Sequence, residues 1–342
     1  MPLTKLQFRP GINRDVTSYS NEGGWVDSDK VRFRLGFPEK IGGWVKYSSN
    51  IFQGTCRALH TWVTLSGTQY LGLGTHLKYY LEIGQSFSDI TPIRKTSTNT
   101  ITFAATDGSS TITVTDSSNG SVVNDFVTFS GAVSLGGLVT AAVLNQEYQI
   151  IGVTSANVYT IVAKDTDGVT VTANSSDSGN GGSGVDGAYQ LNVGLDTEVG
   201  GTGWGASTWG RSTWGSSADI TSTTELRLWS HDNFGEDLLI NPRDGGVYYW
   251  DASVSNAFTT RAVDLVDISG ASDVPTVAKQ IMVSDNSRHV IAFGANTINT
   301  AVQDSLLIRF SDQESFLDWT PKATNSAGDL RIGSGSNFVR AI

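Results

Sequence analysis

Three stretches of this chain repeat one order of elements: a strand, a turn, a short Leu/Ile-rich strand, a second turn and an aromatic-rich strand. The first runs from Cys56 through YLGLGTHLKYYLEIG to about Pro92, and the second from Leu226 through DLLINPRDGGVYYWD to about Leu265. In the third, Ile281 to Phe293 leads into SLLIRFSDQESFLDW and ends near Ile332. A period of roughly 40 to 50 residues is that of four-stranded propeller blades, each a small twisted sheet packed on its neighbours. Tandem hairpins fused into an ordinary sandwich are the alternative reading. Apolar and polar residues alternate in windows such as Arg57–Leu65 and Thr111–Thr115, and no window sustains the i, i+3, i+4, i+7 spacing of an amphipathic helix. With 38 Gly to supply tight turns, the expected class is all-β: a propeller-like domain with a small β-barrel or sandwich module inserted.

The insertion is visible as charge. Between Thr98 and Glu198 lie ten of the 33 acids (Asp107, Asp116, Asp125, Glu147, Asp165, Asp167, Asp177, Asp186, Asp196 and Glu198) and one of the 23 bases, Lys164. The rest of the chain is nearly balanced although the whole carries −10. At 342 residues the chain also exceeds the ~250 to 300 over which one core keeps growing. We therefore divide it into residues 1–97 and 201–342 as the host and 98–200 as the acidic module. ITFAATDGSSTITVTDSS, DFVTFSGA, EYQIIGVTSANVYTIVA and GVTVTAN read as its short antiparallel strands; SSDSGNGGSGVDG has linker composition, with a further strand at AYQLNVG left open.

Three blades fall short of the ~4 a closed ring needs. The segment VRFRLGFPEKIGGWVKY, Val31 to Tyr47, looks like a half-blade with GFPE as its turn, so it is expected to pair with strands distant in sequence at the blade that closes the ring. Sequence outside this chain would complete the ring, because an open array leaves strand edges that proteins normally cover.

Catalytic and metal chemistry find little support. His60, His76, His231 and His289 are dispersed, none with a second His or Cys at ligand spacing. The one cysteine, Cys56, cannot form an intrachain disulfide and has no neighbours that mark an activated nucleophile. Gly179, Gly181 and Gly184 spell GxGxxG, but no apolar helix follows, and the motif binds phosphate through a helix N-terminus. DTDG, Asp165 to Gly168, reads as a hairpin turn rather than a calcium loop, which would need a third acid and a distal Glu. Acid pairs such as Asp27/Asp29 and Glu236/Asp237 are candidates for a glycosidase couple, but acids beside Gly and Asn are common in turns. Catalytic, cofactor and metal sites are each expected to be absent. No N-terminal apolar signal core is present, and the longest weakly apolar stretch, Leu135 to Leu144, is far below the ~20 residues of a membrane helix.

Two clusters remain as binding candidates. GTGWGASTWGRSTWGSS sets Trp204, Trp209 and Trp214 on Gly-rich backbone, where they either plug gaps between blades or subunits or stack on sugar faces. Near the start, Arg9, Arg14, Lys30, Arg32, Arg34, Lys40 and Lys46 are interleaved with Asp15, Glu22, Asp27, Asp29 and Glu39. Of these, Arg32, Arg34 and Lys40 are the candidates for subunit or DNA-channel contacts, with non-specific phosphate contact rather than sequence readout.

PGINRD (Pro10–Asp15), SNEGGW (Ser20–Trp25), DKVRFR (Asp29–Arg34) and GFPEKIGGW (Gly36–Trp44) occur in an order that resembles the N-terminal region of tail nozzle, or packaged-DNA stabilisation, proteins of short-tailed bacteriophages. The resemblance returns in LRLWSHDNFGEDLLINPRDGGVYYWD (Leu226–Asp251) and GDLRIGSGS (Gly328–Ser336) and touches roughly half the chain. It implies a virion protein assembled in the host cytoplasm: one copy in a ring, a hexamer, below the portal and adaptor. Such a ring retains packaged DNA, touches it non-specifically during ejection, and meets other tail proteins such as a tail needle or fibre. A carbohydrate-binding adhesin using the Trp-Gly loops is the alternative from another class, and a propeller glycosidase the third.

Overall fold

The structure, a computed structural model, describes residues 9–194 and 226–335. It comprises two compact units, one ending at Ser49 and one beginning at Asn50.

In the first unit, β1 (Val31–Arg34) pairs antiparallel with β2 (Phe37–Lys40). The two-residue turn is Leu35-Gly36, both at positive φ (50° and 85°), the twist that suits a tight hairpin. This corrects the expected pairing of Val31–Tyr47 with distant strands: the hairpin is a two-stranded sheet of its own. The reason lies in its faces. Every residue of β2 is exposed, and Phe37 and Trp44 are 74% and 101% exposed, so the aromatic residues that suggest a blade interior are not buried.

The second unit contains the three repeats, each a four-stranded antiparallel sheet with its strands in sequence order. Blade 1 is β3 (Cys56–Val63), β4 (Gln69–Thr75), β5 (Tyr79–Ile83) and β6 (Ser86–Asp89). The module follows with β7 (Ile93–Ser97), β8 (Thr102–Ala105), β9 (Thr111–Thr115), β10 (Phe126–Ser130), β11 (Ser134–Gly136), β12 (Val139–Thr140), β13 (Glu147–Gln149), β14 (Gly152–Ser155), β15 (Val158–Val162), β16 (Asp177–Asn180) and β17 (Asp186–Gln190). Blade 2 is β18 (Trp229–Phe234), β19 (Asp237–Pro242), β20 (Tyr248–Trp250) and β21 (Val263–Asp264). Blade 3 is β22 (Gln280–Val283), β23 (Val290–Phe293), β24 (Leu307–Phe310) and β25 (Gly328–Arg331).

Because side chains alternate across a strand, each blade offers two faces. Tyr79, Leu81 and Ile90 from blade 1 bury against Trp229, Leu238, Ile240 and Trp250 from blade 2. The opposite face of blade 2, with Phe234 and Leu239, buries against Ile281, Val290 and Ala292 of blade 3. Aromatic edges set the first seam: Trp250 lies 5.3 Å from Tyr70 and 6.2 Å from Trp62, both T-shaped. Gly74 lets blade 2 come this close, since a Cβ there would run into the Trp229 ring. That ring donates its indole N–H to the Thr75 carbonyl at 2.7 Å.

The module has two larger sheets, β13-β10-β17-β7 and β14-β15-β9-β8-β16, and a two-stranded one, β11-β12, with a core that includes Ile101, Phe103, Ile112, Val127, Phe129, Tyr159 and Tyr189. Two differences from the sequence division stand out. β7 precedes residue 98 yet pairs with β17, the strand left open at AYQLNVG. The glycine run of the expected linker forms β16 and its following turn, where Gly181 (φ 72°) packs so near Phe103 that a Cβ would clash. Leu191 and Val193 then return to the core between blades 1 and 2.

Candidate functional site: the groove along the inner strands

The first strands of the three blades are neighbours, with β18 packed against both β3 and β22. Between them runs a groove of about 500 Å³ lined by Arg57, Leu59, Ser230, Asp232, Arg243 and Lys279, among others. On the free edge of β22, two backbone N–H groups are satisfied by side chains of β18 in the adjacent blade. Ser230 Oγ accepts the Ile281 N–H at 3.0 Å, and Asp232 Oδ2 accepts that of Val283 at 2.8 Å. Polar side chains thus replace the missing neighbour strand and leave the edge unavailable for pairing.

The groove's charges are engaged within the chain. Lys279, almost buried, lies 3.3 Å from Asp244, and Arg57 donates to the Arg227 carbonyl at 3.2 Å. Burial lowers the Arg227 guanidinium below its ordinary value, against the pull of Asp244. With Asp232 and Asp244 beside Arg57, Arg243 and Lys279, the surface carries mixed sign rather than a strong basic field.

Two of the dispersed histidines meet here. His60 on β3 and His231 on β18 have ring centroids 4.9 Å apart. His60 Nε2 is 2.5 Å from Asn233 Oδ1, and His231 Nδ1 is 2.9 Å from the Tyr79 hydroxyl. Burial, then the neighbouring His60, pushes His231 down to about 4, with a hydrogen bond to the Leu59 backbone opposing. Sequence spacing gave no sign of this pair because its members are separated by the whole module. Among the described residues, no group of three or more His, Cys, Asp or Glu is placed to hold a metal ion.

The glycosidase candidates separate into different tasks. Glu236 accepts the Leu65 N–H through its carboxylate and the Trp62 indole N–H at 3.1 Å through its carbonyl, tying blade 2 to blade 1. Asp237 accepts the Tyr249 hydroxyl at 2.7 Å and the Ala252 N–H at 2.9 Å within blade 2. Asp27 pairs with Arg14 at 2.5 Å and Asp29 lies 3.8 Å from Lys30, all exposed. At DTDG, Asp165 Oδ1 accepts the N–H groups of Asp167 and Val169, which closes a turn.

Arg32 bridges to its cross-strand partner Glu39 at 3.1 Å, and Arg34 shares its exposed face of β1, opposite Phe37. Lys40 ends β2 opposite Val31. Trp204, Trp209 and Trp214 lie outside the described residues.

Two charged networks that the sequence did not reveal join the parts of the second unit. Lys78 of blade 1 is buried with Asp89 at 2.9 Å and Glu147 of the module at 2.5 Å; Arg261, before β21, adds a contact to Asp89 at 3.2 Å. Burial alone would raise the Asp89 carboxyl, but Lys78 and Arg261 outweigh it and hold it below its ordinary range. Inside the module, buried Asp116 accepts from Ser97 at 2.6 Å, Thr100 at 2.9 Å and Tyr189 at 2.8 Å. Tyr189 also meets Tyr159, 3.0 Å between hydroxyls. The sequence pattern shows acids and tyrosines but not which of them the sheets enclose together.

No family model matches the chain, and no curated protein matches it. Among solved structures it is similar to the phage phi92 endosialidase, at 14% identity and a TM-score of 0.24, over 88% of this chain and 41% of that one. The chain therefore spans less than half the length of that protein, and a likeness so slight assigns neither fold nor activity.

Proposed function

We propose that the protein is a structural, non-enzymatic component of a bacteriophage tail, a nozzle subunit that works in a homo-oligomeric ring to retain packaged DNA and form its exit path. The observation that carries this reading is the series of three packed blade-like sheets whose first strands line a common groove, found in a chain whose N-terminal and Leu226–Asp251 strings resemble the nozzle family. Mixed charge suits a conduit, since a strongly basic wall would hold the phosphate backbone and slow its passage. Glu236 and Asp237, the acids nearest one another in blade 2, are occupied by tying strands together, which supports a structural role over hydrolysis. In this reading the subunit sits below the portal and adaptor, with Arg32, Arg34 and Lys40 on a surface that meets a neighbouring subunit or DNA.

Particles assembled without the protein test this directly. They are expected to fill their heads and then lose DNA, read as empty heads and nuclease-sensitive genome. Particles that stay full and fail only at adsorption to the host would favour the adhesin reading instead.

A further inference from the structure

The two seams between the blades are tied differently where their first strands meet. Between blades 2 and 3 the ties are Ser230 and Asp232 on the Ile281 and Val283 N–H groups, with no imidazole among them. Between blades 1 and 2 two half-buried imidazoles face each other, His60 of β3 and His231 of β18, with centroids 4.9 Å apart and planes at 35°. Trp62 lies 5.6 Å from the His60 ring, and Tyr79 meets the His231 ring edge-on at 5.9 Å. The charged side chains around the pair are directed elsewhere. Asp232 follows His231 on β18, so it projects to the opposite face, where its oxygens accept the Asn233 and Val283 N–H groups. Glu236 accepts the Leu65 N–H, and Arg57 on β3 donates to the Arg227 carbonyl. From β5, full burial keeps the Tyr79 hydroxyl neutral, and Arg243 and Lys279 add cations to the groove wall that His231 shares. A proton on either ring therefore enters a contact between two imidazoles that, among the described residues, no carboxylate touches.

We propose that the His60–His231 contact is a pH-sensitive latch: acidification charges it, parts β3 from β18 and widens the groove that both strands line, while the seam between blades 2 and 3 stays closed. The direction follows from linkage. In the closed seam burial and the neighbouring His60 hold His231 down to about 4, whereas a ring released into water returns to its ordinary value of about 6.5. The open form therefore binds the proton more readily, and falling pH shifts the balance toward it. Apolar contacts on the second and third strands, Leu81 against Leu238 and Ile240, carry no titrating group and keep the blades joined, so the movement is an opening on the groove side rather than a separation. Arg57, Leu59 and His231 all line the groove, so parting the two strands changes its width directly. The latch is a property of the blades and stands apart from the tail reading.

The test is a pair of distances in the full chain, read by electron–electron double resonance between spin labels. Cys56 is the one cysteine of the chain and is exposed at the start of β3, so a single added cysteine defines each pair. Val263→Cys on β21, an exposed position, measures blade 1 against blade 2; Val263→Cys with Leu330→Cys, in a Cys56→Ser background, measures blade 2 against blade 3. Between pH 7 and about pH 4 the first distance is expected to lengthen and broaden, and to recover on return to pH 7, while the second stays unchanged. His231→Gln is expected to abolish the response, and His60→Gln, which keeps the more deeply buried ring but removes its neighbour, to weaken it. A first distance that does not change at the lower pH, an equal change at both seams, or a response of wild-type size in either histidine variant would overturn the proposal.

Discussion

His231 and Asp125 give the protein two opposed acid responses. His231 is held down to about 4, so the folded state resists a proton that the unfolded chain accepts near 6.5. Its contribution to stability is present above that range and is lost as pH falls from about 6.5 toward 4, on the order of 2 to 3 kcal/mol. Asp125 is raised to about 6 by burial, against the Val122 N–H and the Arg94 charge, so the folded state gains a proton first and stability rises as pH falls from about 6 toward 4. The two act in opposite directions over the same pH range. Chemical denaturation between pH 4 and 7 should therefore show His231→Gln becoming relatively more stable than wild type on acidification, and Asp125→Asn becoming relatively less stable; parallel curves would show that neither group titrates as argued. Lys78 gives a larger effect. Lys78→Met leaves Asp89 and Glu147 facing each other with Arg261 alone, and should cost on the order of 3 kcal/mol in a denaturant midpoint at pH 7. The residue types were plain in the sequence, but the pairings were not, because His60 meets His231 and Lys78 meets Glu147 only after the module is folded between the blades.

The strands of the three blades were legible because alternation and turn residues recur with one period, and each unit became one ordered sheet. The module's edges were not, because composition marks where charge changes rather than where a ladder begins. β7 carries Arg94 and Lys95, which look like host residues by charge, yet these two bases reach Asp125 and Asp116 of the module at 3.5 and 3.7 Å. The structure also brings the two chain ends of the module together: Leu191 donates its N–H to the Pro92 carbonyl at 2.8 Å. Excising residues 93–190 across that contact with a short Gly-Ser link should therefore leave a cooperatively folding host, since loop closure there is local. Excising 98–200 instead strands β7 without β17 and removes Leu191 and Val193 from the inter-blade core. The second deletion should aggregate or lose its thermal transition, and equal behaviour of the two would show that the boundary is immaterial. The N-terminal hairpin was legible as a turn flanked by strands, but not in its partner: the same aromatic residues that look like blade interior are exposed there.

At the scale of the molecule, the chain carries a net charge of −10, and among the described residues basic side chains such as Arg32 and Lys279 are engaged by acids. Binding to duplex DNA should be weak, indifferent to sequence and abolished as salt rises, because counterion release is its main source. A fluorescence titration at several salt concentrations measures this; tight or sequence-selective binding persisting at about 0.5 M salt would belong to a DNA-recognition protein. The proposed nozzle role turns on place rather than affinity, since such a subunit would encircle the path of the genome. Cryo-electron microscopy of the parent particle, with the protein marked by a bound antibody fragment, tests that most directly. The account predicts ring density on the tail axis with the label disposed symmetrically around it; label confined to fibres off the axis, or no label on the particle, would contradict it.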